Sequence, residues 1–147
     1  MGWMFDGVEI GLFPLVVRPA FQSLGLAEDQ IAAWISVVVA AFLLGAAAGG
    51  IVFGWLGDKI GRVRSMVIAI LVYSVFTGAC ALAQQPWHLG LFRFIASLGM
   101  GGEWALAVAL VMECWPERHR PKLAGAIGAA ANFGFLFIAV VALLKPV

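Results

Sequence analysis

The sequence predicts an all-α membrane protein with five transmembrane helices, and three observations support that prediction. Of its 147 residues, 63% are hydrophobic and only 12% are charged, about half the charged fraction of a soluble domain. The mean hydropathy of +1.02 excludes an ordinary water-soluble fold. Long apolar runs alternate with short polar or proline-containing breaks. Helices are expected because open sheet edges cannot satisfy their hydrogen bonds in hydrocarbon.

Five apolar segments are long enough to cross a bilayer, whose core of about 30 Å requires about 20 helical residues. The predicted helices cover about residues 3–21, 31–56, 66–83, 87–112 and 123–144. We expect residues 1–147 to form an incomplete transmembrane domain. The chain is expected to be a fragment, because the first segment starts at residue 1 without a basic anchor before it.

The basic residues indicate how the helices are oriented. Lys and Arg are concentrated in the second and fourth breaks and are absent from the first and third. Basic loops remain in the cytoplasm, so the first helix should run from inside to outside. Arg18 and Lys145 lie near outer helix ends, where long side chains can reach the interface. We expect a multi-pass protein of the plasma membrane, which is the inner membrane if the source is bacterial.

Two carboxylates, Asp6 and Glu9, lie inside the first apolar segment. Their spacing of three places them on one helix face, and Asp6 lies about 21 Å from the outer end near Ala20. A charge at that depth costs about 2.5–3.5 kcal/mol unless a partner, a water-filled cavity or a proton neutralises it. We therefore predict a proton-coupling site at Asp6 and Glu9. The alternative is a structural pair that is bonded to another helix.

The fourth segment carries two more charges in apolar surroundings, Arg93 and Glu103. Arg93 lies about 9 Å below an outer end near Trp87. It can bind a carboxylate bidentately, from an anionic substrate or alternately from Asp6 or Glu9, or it can extend to the interface. Glu103 follows three glycines and can line a substrate cavity or clamp another helix. Trp104 can stack on a substrate or pack. Arg93 and Glu103 are separated by about 15 Å along the helix, so no direct pair is expected.

Two stretches of sequence carry a family resemblance. The second break reads GWLGDKIGRVR from Gly54 to Arg64, and its glycines, Asp and basic residues resemble the loop between helices two and three of the major facilitator superfamily. The stretch from Arg93 through GMGGEW to Arg120 resembles R-x(5)-G-x-G-G-E-(W/Y)…E-x-(W/F)-P-x-x-x-R. Sugar porters share this outline. The GGEW form and the acidic motif of the first helix are more similar to proton symporters of organic acids and related metabolites.

The resemblance implies the first five helices of a twelve-helix facilitator fold, completed by missing C-terminal helices. Such proteins work by alternating access around a site between two halves. The glycines and charges of the basic loops would then form a cytoplasmic gate, consisting of Gly54, Asp58, Gly61, Arg62, Arg64, Glu113 and Arg120. A purely topological role for the basic residues is the alternative. Asn132 would join Arg93, Glu103 and Trp104 at the substrate cavity.

The predicted function is transport of a small organic solute, through proton-coupled symport of an organic anion such as a carboxylate. Sugar or polyol transport is the alternative within the family, and a non-transporting five-helix subunit or gene remnant is the alternative outside it. The expected partners are the lipid bilayer and the solute, without nucleic acid. We expect no enzyme activity, no catalytic residue, no metal site and no cofactor, with the proton as coupling ion.

Overall fold

The computed structural model describes residues 2–144 and contains only helices within that range. Each predicted segment corresponds to one helix, although the bounds differ. The elements are α1 Gly2–Ser23, α2 Glu28–Ile60, α3 Arg62–Ala79, a 3₁₀ turn Cys80–Leu82, α4 Pro86–Cys114 and α5 Arg120–Leu144. Lys145, which is expected near an outer helix end, lies outside the described residues.

Four helices are long and apolar enough to cross a membrane: α2, α3 with its 3₁₀ turn, α4 and α5. Helix α1 is not among them, although it has 22 residues. The difference arises because Asp6, Glu9 and Arg18 all lie within it. The fold is thus the expected all-helical one, with α1 set apart by its charges.

Helix α2 is longer than its apolar core, because its polar ends also adopt helical conformation. It begins with Glu28 and Asp29 in the first turn and has Lys59 in the last turn. Acids at the start and a base at the end interact favourably with the helix dipole. Helix α4 begins at Pro86, where a missing N–H removes no helical hydrogen bond. Helix α1 remains helical through Pro14 and Pro19.

The described chain divides into two compact units. The first contains α1 as far as Ala20 and the chain from Val111 onward, and the second contains residues 21–110. In the first unit, α1 and α5 make close backbone contact, because a Cβ at Gly7 would overlap the carbonyl of Ala131. A Cβ at Gly134 would likewise overlap the carbonyl of Met4. Small residues at helix interfaces allow such close packing in membranes.

In the second unit, α4 packs against both α2 and α3 through glycines. A Cβ at Gly49 would overlap the backbone of Leu98, and one at Gly101 would overlap the backbone of Ala46. On the α3 side, a Cβ at Gly99 would clash with the backbones of Ala69 and Tyr73. The GxxxG spacings of Gly45/Gly49 and Gly50/Gly54 both predict close packing. The first pair lies at such a contact, whereas a Cβ at Gly54 would meet nothing within 4 Å.

A small apolar cluster forms where the three helices of the second unit meet. Phe53 of α2, Ala69 of α3 and Leu106 of α4 are buried there together. The hydroxyl of Ser65 donates a 3.1 Å hydrogen bond to the carbonyl oxygen of Phe53, so α3 is also fixed to α2 by a buried polar contact. This cluster lies beside the short α2–α3 connection.

Candidate functional site

Helix α1 carries the two acids of the predicted proton site. Asp6 is buried, with 6% of its surface exposed, and Glu9 is half-buried. Their oxygens Asp6 Oδ1 and Glu9 Oε2 are buried without a hydrogen-bond donor, although both residues make other interactions. Gly7, next to Asp6, is the point of backbone contact with α5. Protein therefore covers this part of α1.

Asn132 of α5 lies on the outside of the described chain. Its side-chain Nδ2 donates a 3.1 Å hydrogen bond to the carbonyl oxygen of Gly128, one turn earlier in the same helix. The amide is thus partly satisfied by its own backbone. Because Asn132 is exposed, a substrate cavity at this position would require further chain to enclose it.

Arg93 of α4 is buried, with 7% of its surface exposed. Its guanidinium carbon lies 5.3 Å from the centre of the Phe42 ring on α2, within range of a cation–π interaction. Helix α2 lies close to α4 here, since Gly45 has no Cβ. A Cβ at this position would overlap Ser97 and the carbonyl of Phe94. The guanidinium is covered by protein, as the binding alternative for Arg93 requires.

Glu103 lies farther along the same helix and is also buried, with 5% of its surface exposed. It directly follows Gly101 and Gly102, where α2 lies close to α4. Trp104, the next residue, is 59% exposed. Two adjacent residues that the sequence assigns to one cavity thus have opposite environments, with the acid inside and the indole outside.

The connection between α2 and α3 consists of the single residue Gly61. Its φ of 96° and ψ of 145° lie in a region that glycine alone adopts readily. Its N–H donates a 3.1 Å hydrogen bond to the carbonyl of Gly57 and so closes α2. The glycine of the family motif is therefore required by the backbone geometry.

Arg62 holds the two sides of this connection together. Its Nη2 lies 2.6 Å from Oδ1 of Asp58, and its Nη1 donates a 3.3 Å hydrogen bond to the carbonyl of Gly54. Gly57 leaves space for this side chain, since a Cβ there would lie 3.1 Å from Arg62 Nη1 and would overlap Leu106. Ion pairs of this exposed kind contribute about 0–1 kcal/mol, so the cluster can open.

The other basic residues of this connection lie on its surface. Arg64 is exposed. The ammonium of Lys59 lies 4.0 Å from the centre of the Trp55 ring, one turn back along α2. Both positions suit contact with water or lipid headgroups at a membrane surface.

The connection between α4 and α5 has its own local contacts. Nε of Arg120 donates a 3.0 Å hydrogen bond to the carbonyl of Trp115, and its Nη1 lies 3.8 Å from Oε1 of Glu117. Glu113 is exposed at the end of α4. These residues belong to the first compact unit and Asp58 to the second, so their joint charge cluster stays a prediction.

The glycine and charge pattern of these connections agrees with a match over nearly the whole chain. A family model described as the Major Facilitator Superfamily matches residues 2–144. The chain belongs to the major facilitator superfamily. The family resemblance seen in the loop motifs is thereby confirmed, and the protein is an integral membrane protein of a family of transporters rather than of enzymes.

Relatives within the superfamily are named as transporters. A putative metabolite transport protein of Haemophilus influenzae is 38% identical over 99% of this chain and 35% of its own length. A niacin transporter of Acinetobacter baylyi is 33% identical over 96% of this chain and 31% of its own length. A sialic acid transporter of Escherichia coli K12 is 33% identical over 95% of this chain and 33% of its own length.

The chain therefore spans about a third of the length of the curated relatives it matches. No solved structure matches the chain significantly. The superfamily assignment thus rests on the sequence match across all five helices.

In this superfamily member, the predicted site residues fall into three groups. Buried charges are Asp6, Arg93 and Glu103. The local gate contacts bring together Gly54, Asp58 and Arg62. The remaining predictions are on the surface or at its edge: Glu9, Gly61, Arg64, Trp104, Glu113, Arg120 and Asn132. Asp6 and Arg93 belong to different compact units, so a pair between them stays a prediction.

Sequence reasoning missed three residues of these surroundings. Phe42 supplies the ring beside Arg93, Ser97 packs beneath Gly45, and Glu117 pairs with Arg120. The spacing of three between Glu117 and Arg120 could have revealed the last pair. No local signal identifies Phe42 or Ser97, because their roles depend on which helix packs beside α4.

Proposed function

We propose that this chain provides five transmembrane helices of a proton-coupled symporter that carries a small organic anion by alternating access. The observation that supports this most is the burial of Arg93 within apolar helix α4 of a major facilitator superfamily member. A guanidinium can hold a carboxylate through two parallel hydrogen bonds. The relatives named for niacin and sialic acid also favour a small acidic solute.

Proton coupling is assigned to Asp6, with Glu9 as its neighbour. Asp6 is buried and lies three residues from Glu9 on the same helix, so a proton can be bound by either of two neighbouring carboxyl groups. Proton uptake with the site open to one side and release with it open to the other would carry one proton in each cycle. No metal or organic cofactor takes part in this scheme.

Helix α1 is proposed as the fifth membrane span despite its three charges. Its 22 residues are sufficient to cross the hydrocarbon layer, and the contact with α5 protects the region around Asp6. The basic α2–α3 and α4–α5 connections are assigned to the cytoplasm of a plasma membrane. Further helices would supply the second half that alternating access requires, in a protein of its relatives' length.

The gate is assigned to the contacts around Arg62. Its bonds to Asp58 and Gly54 join the ends of α2 and α3 on the proposed cytoplasmic side. Because each contact is weak, an opening motion can break them without a large barrier. Glu113 and Arg120 are proposed to belong to the same gate.

The decisive experiment is uptake of radiolabelled carboxylates by proteoliposomes that contain these helices together with the second half that alternating access requires, with and without a pH gradient. Asp6→Asn should abolish the acceleration by the gradient while exchange of substrate across the membrane remains measurable, because the amide cannot exchange a proton. Asp29→Asn, which changes an exposed acid at the start of α2, is the matched control and should behave like the unchanged protein.

Three results would redirect the proposal. Gradient-driven uptake that is unaffected in Asp6→Asn would remove the proton site from α1. Uptake of sugars or polyols in place of carboxylates would favour the other branch of the family. Absence of transport for every solute class in the panel would support a non-transporting membrane subunit.

A further inference from the structure

Phe42 lies in the row of α2 residues that packs against α4. This row consists of Val38, Phe42, Gly45, Gly49 and Phe53, which recur at spacings of three and four and so share one helix face. All of them are buried except Phe42, which is half-buried. The ring of Phe42 is therefore part of the contact between the two helices.

Arg93 lies beside Phe42 in this contact, with close packing of α2 and α4 on both sides of the pair. Towards one end, a Cβ at Gly90 would lie 3.9 Å from Cγ2 of Val38. Towards the other end, a Cβ at Gly45 would overlap atoms of α4. Between these points, the guanidinium carbon of Arg93 lies over the Phe42 ring, 5.3 Å from its centre. The helix packing on both sides thus fixes the ring next to the cation.

The membrane spans of α2 and α3 contain no acidic residue that could serve as a counter-ion. Residues 30–57 and 65–82 lack both Asp and Glu, and Glu103 is about 15 Å away along α4. Arg93 has a further interaction besides the ring, but α2 offers its charge an aromatic face in place of a carboxylate. Such a contact is stronger when it is shielded from water, and Arg93 is 7% exposed.

A ring and a carboxylate would hold the guanidinium of Arg93 in different ways. A carboxylate on α2 would bind the same N–H donors that an anionic solute requires, and the two anions would compete. A ring attracts the cation through its quadrupole and needs none of those donors. The contact with Phe42 can therefore hold the side chain without occupying its binding groups.

We propose that Phe42 is a positioning residue for anion binding, because its ring holds the Arg93 guanidinium in place for the carboxylate of the solute. The inference rests on the proposed transport of an organic anion and names a residue that sets its affinity. A side chain that is ordered before the solute arrives loses less entropy on binding. A weaker ring should therefore raise the half-saturating concentration and change the maximal rate less.

Stepwise fluorination of the Phe42 ring tests the electrostatic contact with little change in its shape. Mono-, di- and trifluorophenylalanine, incorporated in place of Phe42, make the face of the ring progressively less negative. Fluorination of Phe53 is the matched control, because that ring lies in the apolar cluster with Ala69 and Leu106. Both rings belong to the same face of α2, so a general loss of packing would affect both series.

The position of Arg93 is measured directly by solid-state NMR of the protein in lipid vesicles, with ¹⁵N-labelled arginine. The order parameter of the Arg93 Nε–H group should fall with each added fluorine at position 42 and stay constant in the Phe53 series. The signal is assigned by its absence from Arg93→Lys. This readout does not depend on transport.

The consequence for binding is measured as uptake of radiolabelled benzoate, a monovalent carboxylate, by proteoliposomes that contain these helices and the second half. The half-saturating concentration should rise with each fluorine at position 42. The total increase should be about 2- to 30-fold, as expected for loss of a cation–π contact. Phe42→Leu should give an increase at least as large, and the Phe53 series should give none.

Two outcomes would overturn the proposal. The first is an Arg93 order parameter or a half-saturating concentration that does not change with fluorination of Phe42. The second is an equal response in the Phe53 series, which would show a packing effect. Absence of benzoate uptake by the unchanged protein would instead count against the proposed function, and the NMR series would then decide whether Phe42 positions Arg93.

Discussion

Helices α4 and α5 are similar in length, with 29 and 25 residues, and both are apolar enough to cross a membrane. Their burial differs sharply. Ten residues of α4 are buried in the described chain, among them Arg93, Ser97 and Glu103, whereas only Gly134 and Ile138 of α5 are buried. Apolar composition alone thus does not show which helix has neighbours. The polar groups within α4 lie where protein surrounds them.

The glycines of the two helices show the same contrast. Those at 99, 101 and 102 of α4 are in contact with neighbouring helices. On α5, Gly134 contacts α1, but a Cβ at Gly125 or Gly128 would meet nothing within 4 Å. Helix α5 also exposes large apolar side chains, including Phe133, Leu136 and Phe137. A glycine in an apolar helix therefore marks close packing in one case and open surface in the other.

The largest effect is expected from filling a packed glycine. Gly101→Leu should lower the free energy of unfolding by about 3 kcal/mol, because its side chain must displace the backbone of α2 at Ala46. Gly125→Leu is the matched change on α5 and should be neutral or stabilising by up to about 1 kcal/mol, since leucine favours the helix. Reversible unfolding in detergent, followed by tryptophan fluorescence, compares the two. Equal destabilisation would mean that α5 is packed as closely as α4.

A smaller effect is expected where each helix has one polar side chain bonded to its own backbone. Ser97 donates its hydroxyl to the carbonyl of Phe94 at 2.8 Å, and Asn132 donates to Gly128 at 3.1 Å. Ser97→Ala should cost about 1 kcal/mol, because the hydroxyl is fully buried. Asn132→Ala should leave stability unchanged within about 0.5 kcal/mol, because its site is exposed.

The same pair of variants separates stability from transport. If Asn132 lines the substrate cavity, Asn132→Ala should slow uptake although its unfolding is normal. Normal uptake and normal unfolding would remove Asn132 from the site. A loss of stability in Asn132→Ala that matched Ser97→Ala would contradict the difference in burial between the two helices.

The smallest effect on stability is expected at the exposed connections that flank the packed region. Asp58→Asn breaks the ion pair with Arg62, whose partners are 65% and 21% exposed, and should cost less than about 1 kcal/mol. Its effect should appear in transport as slower uptake with unchanged substrate preference. Glu117→Gln weakens the longer ion pair with Arg120 on the α4–α5 connection. It should change stability and uptake less than Asp58→Asn does. A changed substrate preference in Asp58→Asn would contradict a role in gating.

The number of helices and their approximate positions follow from the apolar runs. The ends of the helices cannot be predicted from these runs. A helix can continue beyond the apolar residues that cross the hydrocarbon layer. Helix α2 extends over Glu28 and Lys59, beyond its predicted range of 31–56. Helix α3 begins at Arg62 instead of 66 and ends in a 3₁₀ turn. Charged residues beyond a hydrophobic run still favour helix when they suit the dipole.

The candidate site is predictable in part. The cost of an isolated charge in hydrocarbon predicts that Asp6, Arg93 and Glu103 need a partner, a cavity, a proton or access to the interface. All three are buried, which by itself does not select among these alternatives. The spacing of four predicts that Asp58 and Arg62 can meet on adjacent turns. The exposure of Trp104 and Asn132 could not be predicted from the sequence. A local pattern does not indicate on which side of a helix the neighbouring helices lie. The Phe42 ring beside Arg93 depends in the same way on helix packing.

The single-residue connection at Gly61 also affects how a protease would cut the chain. Exposed, irregular backbone is the preferred target of proteolysis. Lys59 lies within α2, and Arg62 and Arg64 lie within α3, so their backbone is helical. Arg118 lies in the irregular stretch between α4 and α5. Trypsin added to one face of a sealed vesicle would therefore cut first at Arg118 and leave α2 and α3 joined. Two connections of similar basic charge would thus differ in their digestion, and a cut at Arg118 would reveal which face is accessible.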